Sequence, residues 1–231
     1  DSEARSVVVW TPLHWAAVGG RTDAITVLLQ AGAPIDAEDQ NGWTPLMAAC
    51  DYGLTDLVAL LIEAGADLGT QRKNGYRALH DALNEKQAQT AALLIEKGAD
   101  VHAVTENGWN TLSIAAARGM TDLMRVLMEK GVDIHHPIED GWTPLQIALL
   151  KSQCEAAKIL IEAGADINAR VPGSQGPILN GLAGRNKVEM ATLLIEKGAD
   201  LGLADKHGWT PLHFAARNSD IALVKLMLER G

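Results

Sequence analysis

A period of 33 residues runs through the chain and constrains its fold more than any other feature. A fixed repeat of about 20–50 residues marks a protein built from one supersecondary unit used again and again. The segments TPLHWAA from Thr11, TPLMAAC from Thr44, RALHDAL from Arg77, NTLSIAA from Asn110, TPLQIAL from Thr143, PILNGLA from Pro177 and TPLHFAA from Thr210 occupy equivalent places, at spacings of 33, 33, 33, 33, 34 and 33 residues. Gly32, Gly65, Gly98, Gly131, Gly164, Gly198 and Gly231 form a second series in the same phase, and the one extra residue falls between Gly164 and Pro177. The 231 residues therefore divide into seven units, 1–32, 33–65, 66–98, 99–131, 132–164, 165–198 and 199–231, read together as a single domain.

Each unit reads as helix, turn, helix and extended loop. In T-P-L the Thr accepts from free backbone N–H groups as an N-cap, and Pro presets φ for the first helical position. Leu13, Ala16 and Ala17, at i, i+3 and i+4, give the first helix a narrow apolar face, and the alanines permit close helix approach. Gly20, Gly53 and Gly119 end it as left-handed caps, a place taken by Lys86, Ser152, Asn186 and Ser219 in other units. The second helix opens on Thr22-Asp23, Thr55-Asp56 or Thr121-Asp122, where negative charge suits the helix dipole, and carries a more aliphatic face, as in Leu57, Val58, Leu60, Leu61 and Ile62. Lys97, Lys130 and Lys197 fall in its last turn. The loop ends in Asn41-Gly42, Asn74-Gly75, Asn107-Gly108 or Asp140-Gly141, dipeptides that favour a type I′ hairpin turn.

On these residues the chain resembles the ankyrin-repeat family, whose 33-residue unit of β-turn and two helices carries T-P-L-H-x-A. That motif stands intact at Thr11 and Thr210, T-P-L stands at Thr44 and Thr143, and the terminal glycine is present in all seven units. Arg77-Ala78 and Asn110-Thr111 depart from Thr-Pro and weaken individual caps. The resemblance implies an all-α repeat protein, an ankyrin solenoid of helix-turn-helix units joined by projecting hairpin loops. It also implies a partner-binding scaffold that uses the hairpin tips and the exposed surface of the first helices, and a structural hydrogen bond across the repeat for His14, His80 and His213.

Trp10, Trp43, Tyr76, Trp109, Trp142 and Trp209 all directly precede the T-P-L element, so five of the six tryptophans belong to one column. By the resemblance this column lies on the concave, hairpin side. Two readings of it stand together: each ring packs over its neighbouring hairpin, and the exposed edges form an aromatic strip for a partner. Around the column the residues vary: Gln40 and Asn41, Lys73 and Asn74, Glu106, then Asp51 and Tyr52, Glu85, Arg118 and Lys151 just after the first helices. As a set, these residues and the column are the expected protein-binding surface.

Composition removes other classes of function. Twenty Lys+Arg against 29 Asp+Glu leave a formal charge of −9, which opposes the phosphate attraction that duplex nucleic-acid binders depend on. A nucleotide-like ligand stacked on the hairpin aromatics, with Arg72, Lys73 and Tyr76 as a local example, is the second reading. A purely architectural spacer, or the targeting portion of a larger protein, is the third. No nucleotide, hydrolase, zinc-protease or EF-hand motif appears, so neither an enzyme nor a cofactor is expected. His135-His136 with Asp133 and Asp140 reads as a solvated loop rather than a metal site, because adjacent residues on an extended segment point to opposite faces. Cys50 and Cys154, three repeats apart, read as unpaired thiols, which suits a reducing, intracellular and cytoplasmic setting. No apolar run reaches the length of a membrane span.

With a single Phe in the chain, the interior has to be aliphatic. The segment from Arg170 to Pro177 lacks the usual turn signals, and Pro172, Gly173, Gly176 and the helical Gly181 are expected to weaken pairing and raise mobility there. The chain is expected to open in an apolar hairpin at Val7, Val8 and Val9. At the other end Leu223, Val224, Leu226, Met227 and Leu228 have no following repeat, so further sequence or self-association is expected to cover them.

Overall fold

The computed structural model describes residues 10–173 and 175–231. Val7, Val8 and Val9 lie outside the described residues. Among those described, the helices come in pairs: α1 (Pro12–Val18) and α2 (Thr22–Gln30), α3 (Pro45–Asp51) and α4 (Thr55–Glu63), α5 (Ala78–Asn84) and α6 (Ala88–Glu96), α7 (Thr111–Arg118) and α8 (Thr121–Glu129), α9 (Pro144–Leu150) and α10 (Cys154–Glu162), α11 (Ile178–Gly184) and α12 (Val188–Glu196), α13 (Pro211–Arg217) and α14 (Ile221–Arg230). No β-strand forms among them, and no helix is long and apolar enough to cross a membrane. The fold is an all-α repeat solenoid, in two compact units: Asp1–Asn107 with α1–α6, and Gly108–Gly231 with α7–α14.

Within each unit the first helices stack in one layer and the second helices in another. In the first unit α1 packs on α3 and α3 on α5, with α4 against α6; in the second, α7 packs on α9 and α11 on α13, with α8 against α10 and α12 against α14. The stacked faces are those given by the helical period. Leu13, Ala16 and Ala17 are buried on α1, Ala48, Ala49 and Cys50 on α3, and Leu57, Val58 and Leu61 on α4. No Trp, Tyr or Phe appears among the buried apolar residues described, so the core is aliphatic. Each fully buried Leu contributes roughly 1.5–3 kcal/mol of transfer free energy. The Cys50 thiol is buried, and burial, followed by the neighbouring Asp51, raises its pKa, which leaves it unreactive; Cys154 is half-buried and also free.

Caps divide according to what stands three residues into the helix. The Thr44 and Thr143 hydroxyls accept from the N–H groups of Met47 at 3.3 Å and Gln146 at 3.4 Å, and Asn110 accepts from Ser113 at 2.7 Å. Where His occupies that place, the Thr hydroxyl turns to it: Thr11 and Thr210 pair with Nδ1 of His14 at 2.9 Å and of His213 at 2.8 Å. The interhelical residues Lys86, Ser152, Asn186 and Ser219 keep the left-handed conformation of the glycines they replace, with φ between 57° and 60°. Backbone geometry at that point therefore survives the loss of its preferred residue.

The turn is not type I′. That type needs positive φ at both central residues, and neither Asn41, Asn74, Asn107 nor Asp140 has it. Instead the Gly42 N–H donates to the Asp39 carbonyl at 3.0 Å and the Asp39 N–H to the Trp43 carbonyl at 2.9 Å, so the glycine closes a four-residue turn as its left-handed member. In the sixth repeat the Val171 N–H donates to the Gly176 carbonyl at 2.7 Å, where the third has Arg72 to Tyr76 at the same distance. One more residue is spanned, which places the insertion in this turn. Pairing is kept there by an antiparallel bridge between Arg170 and Pro177.

Neighbouring turns approach closely enough to exclude a side chain. A Cβ on Gly75 (φ +78°) would lie 2.7 Å from the backbone nitrogen of Glu106, whereas one on Gly208 (φ +81°) would meet nothing within 4 Å. Gly75→Ala should therefore cost about 2 kcal/mol in urea unfolding, and Gly208→Ala only the conformational part of that, about 1 kcal/mol. Equal losses at the two sites would show that turn-to-turn contact adds nothing.

Candidate protein-binding surface

The backbone of the aromatic column is held by hydrogen bonds from two directions. Trp43 donates its N–H to Asp39 Oδ1 at 2.9 Å, and its carbonyl accepts from the Asp39 N–H and from His14 Nε2, each at 2.9 Å. Trp209 repeats this with Asp205 Oδ1 at 3.0 Å, the Asp205 N–H at 2.9 Å and Asn180 Nδ2 at 2.9 Å. His80 also reaches the next repeat, but earlier in its loop than the column, from Nε2 to the Ala103 carbonyl at 3.1 Å. The expected bond across the repeat is thus present for His14 and His80, while His213 has its local bonds to Thr210.

Trp10, Trp43, Tyr76, Trp109 and Trp142 are half-buried, and Trp209 is more exposed. The rings of Trp10, Tyr76 and Trp209 lean on their own first helices, and those of Trp10 and Trp43 also meet the next turn. Centroids lie 5.9 Å apart for Trp10 and His14, 5.6 Å for Tyr76 and His80, and 5.9 Å for Trp209 and His213. Trp10 also meets Trp15 edge-on at 4.9 Å and donates from Nε1 to Asp39 Oδ2 at 3.2 Å.

Trp43 differs because Arg72 reaches it. The guanidinium stands 4.1 Å over the Trp43 ring and 5.4 Å from that of Tyr76, and forms an ion pair with Asp81, which is only 2% exposed. Arg72 replaces Asp39 at the turn, and Asp81 occupies the variable place of T-P-L-H-x-A, held elsewhere by Ala48, Ile114 and Ile147. The sequence reading missed Asp81 and named Arg72 only as a cation for a stacked nucleotide. Their engagement also removes Arg72 as a free cation for a stacked nucleotide, since its charge is already matched inside the repeat.

Around this pair the first unit gathers several of the expected residues. Asp51 is half-buried, and its carboxyl is pushed above the usual range by burial first and by Glu85 second, with Arg72 opposing. Glu85 and Tyr52 are exposed, Tyr52 at 55%. The turn tips Gln40, Asn41, Lys73, Asn74 and Glu106 are exposed and linked in a row: the Lys73 N–H donates to the Asn41 carbonyl and the Glu106 N–H to the Asn74 carbonyl, both at 3.1 Å. In the second unit Lys151 is exposed and Arg118 half-buried. Trp15 and Phe214 extend the aromatic surface at the variable T-P-L-H-x-A place, where ring-bearing residues were the overlooked signal. Among the described residues no three His, Cys, Asp or Glu side chains converge as metal ligands, and the Asp133 carboxylate accepts the His135 N–H at 2.8 Å.

Paired helices, left-handed interhelical residues and glycine-closed turns in register define an ankyrin-type repeat protein. Comparison bears this out: the family described as "Ankyrin repeats (3 copies)" matches residues 3–72 and 79–171, and "Ankyrin repeats (many copies)" matches 182–228. The chain belongs to the ankyrin-repeat family. The ankyrin repeat domain of human ASB11 is similar over 96% of this chain and 98% of its own, with 27% identity and a TM-score of 0.81. That of Bcl-3, described as a unique member of the IkappaB protein family, is similar over 95% and 98%, with 27% identity and a TM-score of 0.77. Delta-latroinsectotoxin-Lt1a of Latrodectus tredecimguttatus is 42% identical over 48 residues, which span 21% of this chain and 4% of the toxin. Ankyrin repeat domains are generally protein–protein interaction modules.

Proposed function

We propose that this chain binds a protein or peptide partner on its turn tips and first-helix ends, with the patch of Asp51, Tyr52, Lys73, Tyr76 and Glu85 as the principal contact in the first unit. The observation that carries this reading is Tyr52: most of its surface is open, whereas the column rings of the first unit, Trp10, Trp43 and Tyr76, are half-buried. An exposed, amphipathic ring flanked by two carboxylates is a suitable anchor, because Tyr is enriched at interface positions whose truncation costs most. Trp109, Arg118, Trp142, Lys151 and Trp209 are the corresponding candidates in the second unit, and Trp10 extends the surface at the first repeat.

The test is capture of the partner by the native chain, followed by affinity measurement with Tyr52→Ala and Glu85→Lys. Each should weaken binding about tenfold or more while the circular dichroism spectrum stays the same, and Lys158→Ala on α10 should change nothing. Unchanged affinity in both patch variants would remove the patch from the interface. A hairpin surface that tolerates every such substitution would instead fit an architectural spacer.

A further inference from the structure

The sixth repeat departs from the others at three positions at once. Gly176 stands in the aromatic column, Gly181 at the variable T-P-L-H-x-A place, and Gly184 at the end of the first helix, where other units have Asp51, Leu150 or Arg217. Gly176 is buried against Asp205. Gly181 and Gly184 leave α11 bare on the side that faces α13, and a groove of about 300 Å³ opens there. Its walls are Trp142 and Pro172 on one side and Phe214 on the other. A second hollow continues along Phe214 past Trp209 and His207.

The groove is unlike the rest of this acidic chain in its charge. Arg185 and Arg217 line it, and neither has a carboxylate partner among the described residues. Arg217 rests near the Trp209 ring, 5.7 Å from its centroid, and the Arg185 guanidinium lies over Gly181. Asp205 is the acid in the lining, and its Oδ1 is committed to the N–H groups of Trp209 at 3.0 Å and His207 at 2.8 Å. Asn180, 4% exposed, also lines the groove; its Nδ2 is spent on the Trp209 carbonyl, but its Oδ1 has no partner. Buried acceptors are normally satisfied, so an orphan in a groove wall is a place where a donor is missing.

We infer that this groove binds an extended acidic segment of a partner protein, one apolar side chain entering between Trp142 and Phe214 while flanking carboxylates pair with Arg185 and Arg217. The guanidinium fork matches a carboxylate in two parallel hydrogen bonds. The cavity is at the small end of the range for ligand sites, which suits a single large side chain. The inference rests on the interaction-module reading for the nature of its occupant and adds a second, oppositely charged contact, separate from the Tyr52 patch.

The probe is the capped peptide acetyl-Glu-Glu-Leu-Glu-Glu-amide, titrated to millimolar concentration into the ¹⁵N-labelled full chain, with its all-Gln counterpart as control. Amide shifts at Gly181 and Gly184 and an indole shift at Trp142 are expected with the Glu peptide, and binding about tenfold weaker in Arg185→Gln/Arg217→Gln. Gly181→Leu should fill the groove and abolish the shifts. A Cβ there meets only the movable end of Arg185 at 3.3 Å, and replacing a helical glycine favours the helix, so this variant folds at least as well as the native chain. No shifts at these residues, equal shifts with the Gln peptide, or preferential binding of oligo-dT overturns the assignment. Loss of partner affinity in Tyr52→Ala with none in Gly181→Leu, and no peptide shifts, would leave the patch standing and the groove refuted; the reverse pattern would do the opposite.

Discussion

Arg72→Met is expected to destabilise the first unit by about 3–5 kcal/mol, because it strands a buried charge. The Asp81 carboxylate is 2% exposed, accepts from Arg72 through Oδ1, and has no partner at Oδ2. Water cannot take over the role of the guanidinium at such a site, so the full desolvation cost of an unpaired carboxylate falls on the folded state. Loss of the contact with Trp43 adds to this, on the order of 1 kcal/mol. The pair as a whole need not stabilise the fold, since two buried ions exchanged for packed apolar groups often leave stability unchanged or improved. Arg72→Met/Asp81→Ile should therefore recover most of the loss, Ile being the residue at the equivalent places 114 and 147. Urea unfolding of the two single variants and the double variant gives the coupling directly. A loss under about 1 kcal/mol in Arg72→Met would mean that solvent reaches Asp81.

Arg72 and Asp81 also show where reading the repeat falls short. A repeat makes visible what units share: the period, the stacked Leu and Ala positions and the glycine that ends each second helix recur from unit to unit, and the helices form where those signals stand. Left-handed geometry at Lys86 or Ser152 followed from phase alone, although neither residue favours it. Compensating departures are harder to see. An Arg at a turn place and an Asp at a variable helix place each look like surface variation, and only their placement nine residues apart in one folded unit makes them a pair. The groove was hidden in a similar way, since Gly181 read as a helix weakener when its effect is to uncover a wall, and Gly184 drew no reading at all. The turn type failed for another reason: an Asn-Gly preference describes isolated hairpins, whereas in the first unit the turns at Asn41 and Asn74 are tied through their carbonyls to Lys73 and Glu106 of the next. For the aromatic column the sequence located the position but not the partner of each ring, because own-helix and next-hairpin packing need the same residue.

Acid should unfold this chain partly through His80. Its ring is fully buried, with Nε2 donating to the Ala103 carbonyl and Nδ1 accepting the Arg77 N–H at 3.1 Å. Protonation of Nδ1 would break the second bond and place a cation in the core, and burial, the largest cause, lowers the pKa from 6.5 to about 4. The folded value lies below the unfolded one, so the unfolded chain takes up the proton first as pH falls. The stabilisation is complete above about pH 6.5, is lost progressively as pH falls towards 4, and changes no further below that. A shift of this size corresponds to about 3 kcal/mol across the window. His80→Gln should keep the contacts and remove the titration. The chain already contains that solution, for Gln146 accepts the Thr143 N–H through Oε1 and donates to the Ala169 carbonyl through Nε2, both at 3.1 Å. Unfolding free energies of native and His80→Gln protein at intervals from pH 7 to pH 4 should diverge steadily as pH falls, the variant losing less. Asp51 works against the trend at lower pH, since its raised pKa makes the folded state the better proton acceptor, but it is common to both proteins and cancels in the difference. Parallel curves across the window would show that His80 is accommodated as a cation, and that the bond to Ala103 rather than neutrality of the ring is what the fold requires.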